Sequence, residues 1–270
     1  MNTQRKKFSL KFLGLALMAL MVQASTLLVY SQEGRPPKPF QQWSKKEAQQ
    51  VLDDSPWAPK QEVRLRYADT ARRIAGGTVP SETSGALINT TSNQAEIGGA
   101  EAPVDFQFTL RLRSALTVRQ ALVRLKQLET NYDQMNAKDR AAFDTKYKGL
   151  LECPACEQNY VLTLSAVSKE RPGADPIFTV FKGGRLADLQ RYIFIANNRG
   201  ERRDLIHFVP PKAPGEEAVF YFARFNDKGE PLLTSTDTEL IANFTNNDVN
   251  MNTNFKVNVA KVSVNGQVDF

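Results

Sequence analysis

The chain has 270 residues, 41% hydrophobic, 24% charged and 9% aromatic. These proportions exclude a disordered chain, a collagen-like repeat and a disulfide-dense miniprotein, and the length allows one or two domains. The formal charge of +6 overstates the basicity: Arg5, Lys6, Lys7 and Lys11 sit in an acid-free N-terminal segment, and taking those four from the 35 basic residues leaves 31 against 29 acidic ones. A nucleic-acid role thereby loses its electrostatic footprint. One histidine and two cysteines leave few residues for metal binding or His-based catalysis.

Arg5, Lys6 and Lys7 precede an apolar run over residues 12–22, and small residues follow at Ala24 and Ser31. This is the layout of a secretory signal peptide, residues 1–31. The competing reading is a retained membrane anchor, since residues 12–30 approach the length of a span. Gln23, Ser25 and Thr26 interrupt that span. Under either reading the positive end stays cytoplasmic and the rest is exported, to the periplasm or beyond. Membrane contact is expected only if the segment is retained.

Residues 32–42, with Pro36, Pro37 and Pro39, read as an extended linker. Ser44 and Glu47 form a capping box, Trp43 can staple onto Ala48, and Ala48, Val51 and Leu52 make an apolar stripe. Lys45 and Lys46 at the start of this helix and Asp53 and Asp54 at its end oppose the macrodipole. Docking of the stripe must therefore hold it, and Pro56 stops it. Residues 62–67 alternate as a strand. Residues 75–102, rich in Gly, Ser, Thr and Asn, are expected to form a mobile loop. In residues 104–113, Phe106, Phe108, Leu110 and Leu112 alternate with Thr109, Arg111 and Arg113, which predicts one buried and one wet face.

Thr117 and Gln120 then read as the capping box of a helix carrying Val118, Ala121, Leu122, Leu125 and Leu128. A second helix starts near Asn136 with a stripe of Phe143, Tyr147, Leu150 and Leu151. Residues 160–167 form a strand. Residues 191–196 and 205–209 flank a hairpin tip at 197–200 and are apolar on both faces, as in a layer covered on each side. Residues 218–225, 239–244 and 255–264 are further strands, with 246–254 as an Asn-rich loop, and Asn265-Gly266 is a two-residue hairpin. The fold class is α+β: a single domain over residues 43–270, predominantly antiparallel β and sandwich-like, with two or three helices inserted in its N-terminal half.

The segments Trp43-Ser44-Lys45-Lys46-Glu47, Asp54-Ser55-Pro56-Trp57-Ala58 and Ser114-Ala115-Leu116-Thr117-Val118-Arg119-Gln120-Ala121-Leu122 together resemble a group of uncharacterised exported bacterial proteins of acidobacterial type. That group carries a W-[ST]-x-x-E…SPWA opening and an SALPVRQA-like helix start. Thr117 stands where its pattern has proline. The resemblance implies an exported domain of its own type and no catalytic residue.

Cys153-Pro154-Ala155-Cys156 is the sharpest chemical feature. Haem attachment would need histidine where Glu157 stands, and zinc would lack ligands beyond His207. A local disulfide fits an oxidising compartment, and a redox pair is the alternative. His207, between Ile206 and Phe208, reads as a hydrogen-bonded core or edge residue. Asp53 and Asp54 read as solvated. The turn at 182–185 lacks Walker spacing. Arg199, Arg202 and Arg203 cluster on the hairpin tip. Arg64, Arg66, Arg111 and Arg113 lie on wet strand faces and would form an anion- or partner-binding stripe if their strands were neighbours; the competing reading is a solvated face. The sequence assembles no catalytic set and calls for no cofactor or metal. It points to an exported, non-catalytic binding or structural domain with a protein or glycan partner in the cell envelope and no nucleic acid. Trp43, Trp57 and the Pro-rich arm are candidate partner contacts, the competing reading for both tryptophans being core. The alternatives are a thiol-disulfide oxidoreductase using Cys153 and Cys156, or a hydrolase with an unrecognised site.

Overall fold

The computed structural model describes residues 35–65 except 37, 104–246 and 251–270. The segment at 1–31, the loop expected at 75–102 and Arg66 lie outside the described residues.

Ser44 opens helix α1 (Lys45–Asp53) by the reciprocal box read in the sequence. Its hydroxyl accepts from the Glu47 N–H, and the Glu47 carboxylate accepts from the Ser44 N–H at 2.7 Å. Trp43 and Ala48 are both fully buried. Phe40 lies edge-on to Trp43 at 6.4 Å, so the end of the Pro-rich arm is packed in. Arg111 answers the unfavourable charge at the far end, with Nη2 2.7 Å from Asp53.

The strands are β1 (Lys60–Leu65), β2 (Val104–Leu112), β3 (Asn159–Val167), β4 (Ile193–Asn197), β5 (Arg202–Val209), β6 (Ala218–Ala223), β7 (Glu239–Asn246) and β8 (Met251–Asn258). They form one eight-stranded sheet in the order β1-β2-β3-β6-β5-β4-β7-β8, antiparallel at every pairing. Its two edge strands approach each other without a ladder: the Asn254 N–H on β8 donates to Gln61 Oε1 on β1 at 2.8 Å. The α+β, predominantly antiparallel architecture is as expected. The two layers of a sandwich are realised as opposite walls of one sheet, curled until nearly closed into a barrel. Such curling buries one face against itself and brings the two vulnerable edges together.

The interior is aromatic. Phe106, Phe108, Leu110 and Leu112 of β2 are fully buried. Phe220 on β6 has Phe244, Phe208 and Phe181 around it at 4.9, 5.2 and 5.4 Å. The pairs with Phe181 and Phe244 are edge-to-face, and such aromatic pairs add about 0.5–1.5 kcal/mol each beyond the area buried.

Several local expectations change. Thr109 was expected to be wet, yet it is buried. Arg111 folds over that outer face and donates to Ser165 Oγ at 3.0 Å, and Ser165 is the residue paired with Thr109. In strands β4 and β5 one face is buried, while residues on the other are half-exposed or exposed, with Arg202 lying over Phe194 there. His207 is exposed: an irregularity between Leu205 and His207 turns both Ile206 and His207 outward, where the imidazole lies 5.0 Å from the Tyr221 ring. Part of the Asn-rich loop is strand. In β8, Met251, Thr253, Phe255 and Val257 point inward and Asn252, Asn254, Lys256 and Asn258 outward. Trp43 and Trp57 are core, fully buried, rather than partner contacts.

Helix α2 (Leu116–Glu129) does not use its expected box. Its N-cap is Ala115, while the Thr117 hydroxyl and Gln120 Oε1 are buried and meet no partner among the described residues. The first N–H groups are taken by Asp269 instead. Helix α3 (Ala137–Glu152) starts on Asn136 as expected, whose side chain accepts from the Asp139 N–H at 3.0 Å. Cys153 ends α3 in the left-handed region and leads into the short α4 (Pro154–Gln158). Helix α5 (Pro176–Phe181), capped by Asp175, had no clear periodic signal; α6 (Leu186–Leu189) follows it. The hairpin β9 (Ser263–Val264) and β10 (Gln267–Val268) turns through Asn265 and Gly266, both at positive φ as a type I′ turn demands.

Candidate binding groove

The turn between α2 and α3 is fixed by a buried cation. Arg124 on α2 donates to the Trp43 carbonyl at 2.8 Å, to Gln127 Oε1 at 3.2 Å and to both carboxylate oxygens of Asp133 at 2.9 and 3.2 Å. The bond from Arg124 holds the Asp133 carboxyl below its usual range. One guanidinium thus ties the start of α1, the middle of α2 and the turn into α3.

A groove of about 470 Å³ lies beside this junction, within the range of small-ligand sites. Its apolar wall is Phe40, Val123, Tyr132, Phe143, Tyr147 and Leu151. Phe143 is the ring in the middle, 5.0 Å from Tyr132 and 4.4 Å from Tyr147. The polar groups in the wall are Gln127, Asp144, Thr145, Lys148 and Glu152, with Gln41 at the arm. The Tyr132 hydroxyl donates to Asp144 at 2.9 Å, and burial together with that bond pushes the phenol upward, so it stays protonated. Lys148 and Glu152 pair across one turn at 3.5 Å. Gln127 is almost fully buried, and its Oε1 is occupied by Arg124.

Phe143, Tyr147, Leu150 and Leu151 are the apolar stripe of α3. Of these, Phe143 alone is buried; the other three are half-exposed. The available signal was chemical: a tyrosine in the stripe, on a helix whose other faces are charged.

The cysteines form a disulfide with α-carbons 5.3 Å apart. Cys153 is half-buried and Cys156 buried. Arg224 at the end of β6 anchors this turn. Its guanidinium donates to the Cys156 carbonyl at 3.1 Å and to the main-chain oxygen of Phe270 at 2.6 Å, and lies 4.6 Å from the centre of the Tyr160 ring. Burial works against its charge and lowers its pKa.

The described arginines of the stripe, Arg64, Arg111 and Arg113, are not brought together as one row. Strands β1 and β2 are neighbours, but their register sets Arg64 opposite Asp105, and Arg64 is bonded there at 2.7 Å. Arg111 lies several residues further along β2, roughly 20 Å away at strand rise. It is consumed by Asp53, Glu217, Ser165 and the Leu52 carbonyl, and Arg113 sits 3.7 Å from the same Glu217. The hairpin arginines are also engaged. Arg199 bonds Asp237, Arg202 stacks over Phe194 at 3.8 Å, and Arg203 donates to the Glu230 carbonyl at 3.2 Å. At 182–185, the Gly184 N–H donates to the Phe181 carbonyl at 2.9 Å; a Cβ there would stand 3.3 Å from Phe208. That glycine serves packing. Asp53 is ion-paired rather than merely solvated.

Among the described residues no group of three or more His, Cys, Asp and Glu is placed to hold a metal ion, and no helix is long and apolar enough to cross a membrane. No protein-family model, curated protein or solved structure matches the chain.

Proposed function

We propose that this is an exported, non-catalytic binding domain that holds a component of the cell envelope, protein or glycan, in the groove between α2 and α3. The observation that carries this is the aromatic wall of Phe40, Tyr132, Phe143 and Tyr147 combined with a few polar groups, Gln127 and Asp144 among them. Concave, mostly apolar sites with a few oriented polar groups are what ligand pockets consist of. The exposed His207, its ring tilted 5.0 Å from that of Tyr221, has no serine or cysteine bonded to it among the described residues.

The test is retention on purified envelope material, comparing the mature chain with Tyr147→Ala. The wild type should sediment with the envelope and the variant should stay in solution with an unchanged circular dichroism spectrum. Equal behaviour of the two would reject the groove. N-terminal sequencing of the exported form tests the processing; it should start near Ser25 or Gln32.

One observation favours the thiol-disulfide reading. Cys153 is half-buried while Cys156 is buried, so Cys153 is the more accessible member of the pair. A reduced form with an acid-shifted, rapidly alkylated Cys153 would support it.

A further inference from the structure

We infer that Asn265-Gly266 is a site of spontaneous covalent modification, at which loss of the side-chain amide loosens the cap that Asp269 places on α2. The pair is the only Asn-Gly in the 270 residues. It forms the tip of the β9–β10 hairpin, and both residues are exposed. Among the described residues no hydrogen bond holds the Asn265 side chain or the Gly266 N–H, and a Cβ added at Gly266 would meet nothing within 4 Å. The two reacting groups are therefore adjacent in the chain, wet and unshielded.

The Gly266 main-chain nitrogen gives up its proton to water and attacks Cγ of Asn265. The new C–N bond closes a cyclic imide, while the side-chain nitrogen takes up a proton and departs as ammonia. Water then opens the ring. Attack at Cγ leaves aspartate; attack at the main-chain carbonyl carbon leaves isoaspartate, with the chain running through Cβ and Cγ. One water is consumed, one ammonia is released, and no oxidant or reductant takes part. Glycine suits the attacking position because it has no Cβ to obstruct ring closure. Asn265 must first rotate out of its turn conformation at φ 53°. The hairpin permits this: its ladder consists of Val264 with Gln267 and Ser263 with Val268, and a ladder that short opens readily.

Isoaspartate adds one atom to the main chain at the tip, so the two rungs cannot both keep their register. Asp269 follows Val268 directly, and its carboxylate accepts the Leu116 and Thr117 N–H groups at 2.7 and 3.1 Å. A shift of β10 draws that carboxylate away and leaves the first N–H groups of α2 without their acceptor. The coupling is reciprocal: a cap that holds the hairpin closed also slows the reaction.

The experiment is warm incubation of the protein at mildly alkaline pH, with peptide mapping of Asn265 and chemical denaturation at intervals. The wild type should accumulate aspartate and isoaspartate at Asn265, and its denaturation midpoint should fall as isoaspartate builds up. Asn265→Gly keeps a turn-forming pair but has no amide to lose, and it should hold its midpoint through the same incubation. Asp269→Ala should convert at Asn265 severalfold faster than the wild type, because the hairpin is no longer tied to α2. An Asn265 that stays intact while a synthetic peptide of residues 262–270 is converted would overturn the inference. So would converted protein that keeps the midpoint of fresh protein, an equal fall in Asn265→Gly, or conversion of Asp269→Ala at the wild-type rate.

Discussion

Asp269 caps Leu116: its carboxylate accepts the Leu116 N–H at 2.7 Å and the neighbouring Thr117 N–H at 3.1 Å, across 153 residues of sequence. The Asp269 N–H in turn donates to the Val262 carbonyl at 2.9 Å, which locks the cap in place. A helix whose own threonine reads as its cap is therefore started from the other end of the described chain. Asp269→Ala should destabilise the protein by about 0.5–2 kcal/mol, the usual range for a lost N-cap. Thr117→Val should be neutral or slightly stabilising, because it removes a buried hydroxyl that has no partner among the described residues. Chemical denaturation of both variants checks this, and the opposite ranking would restore Thr117 as the cap.

Phe108→Ala should cost about 3–5 kcal/mol, since the ring is fully buried in the barrel interior. Thr109→Ala should cost about 1 kcal/mol, more than a wet position would, because the side chain is buried under the Arg111 arm. Urea unfolding of the pair measures the difference.

Arg111 is a structural residue. Arg111→Met should lower the melting temperature, because it strands Asp53 and Glu217 and frees the end of α1. The expected loss is about 1–3 kcal/mol, discounted for the partial exposure of both carboxylates. Arg113→Met, which gives up a contact of 3.7 Å, should change little. Scanning calorimetry of the two variants separates them.

The capping box makes a pH prediction. Bonds from the Ser44 N–H first, and then from Lys38, lower the Glu47 carboxyl to about 2 from its ordinary 4.5. A depressed carboxyl stabilises the fold above its unfolded-state pKa and loses that contribution as pH falls through the folded-state value. The melting temperature of the wild type should therefore fall between about pH 4.5 and 2, and that of Glu47→Gln should fall less steeply. Parallel curves for the two proteins would count against the box.

Alkylation of the native protein without reductant should leave Cys153 and Cys156 unlabelled by mass, as a disulfide requires. The loop it closes is very short, so its chain-entropy contribution is small. The Cys153→Ser/Cys156→Ser double variant should fold with a lower melting temperature, since Arg224 still holds the Cys156 carbonyl. A double variant that fails to fold would give the bond a larger role.

What the sequence determined by itself is local. The Ser44 and Glu47 box, the Asn136 cap, the Asn265-Gly266 turn and the alternation of Phe106, Phe108, Leu110 and Leu112 are all present as read. Each depends on residues close in the chain or on a period of two, and so on physics that a short window contains. Tertiary structure decided whatever depends on which segments meet. It brought Gln61 to Asn254, turning two expected layers into one curled sheet, and set the β1–β2 register that separates Arg64 from Arg111. It turned His207 outward through a single irregularity in pairing. It also left Tyr147 half-exposed on the apolar stripe of its helix, so that the groove became a candidate site. Long-range register and burial are set by the packing of the whole chain, and a side chain's neighbours across the fold leave no mark on its neighbours in sequence.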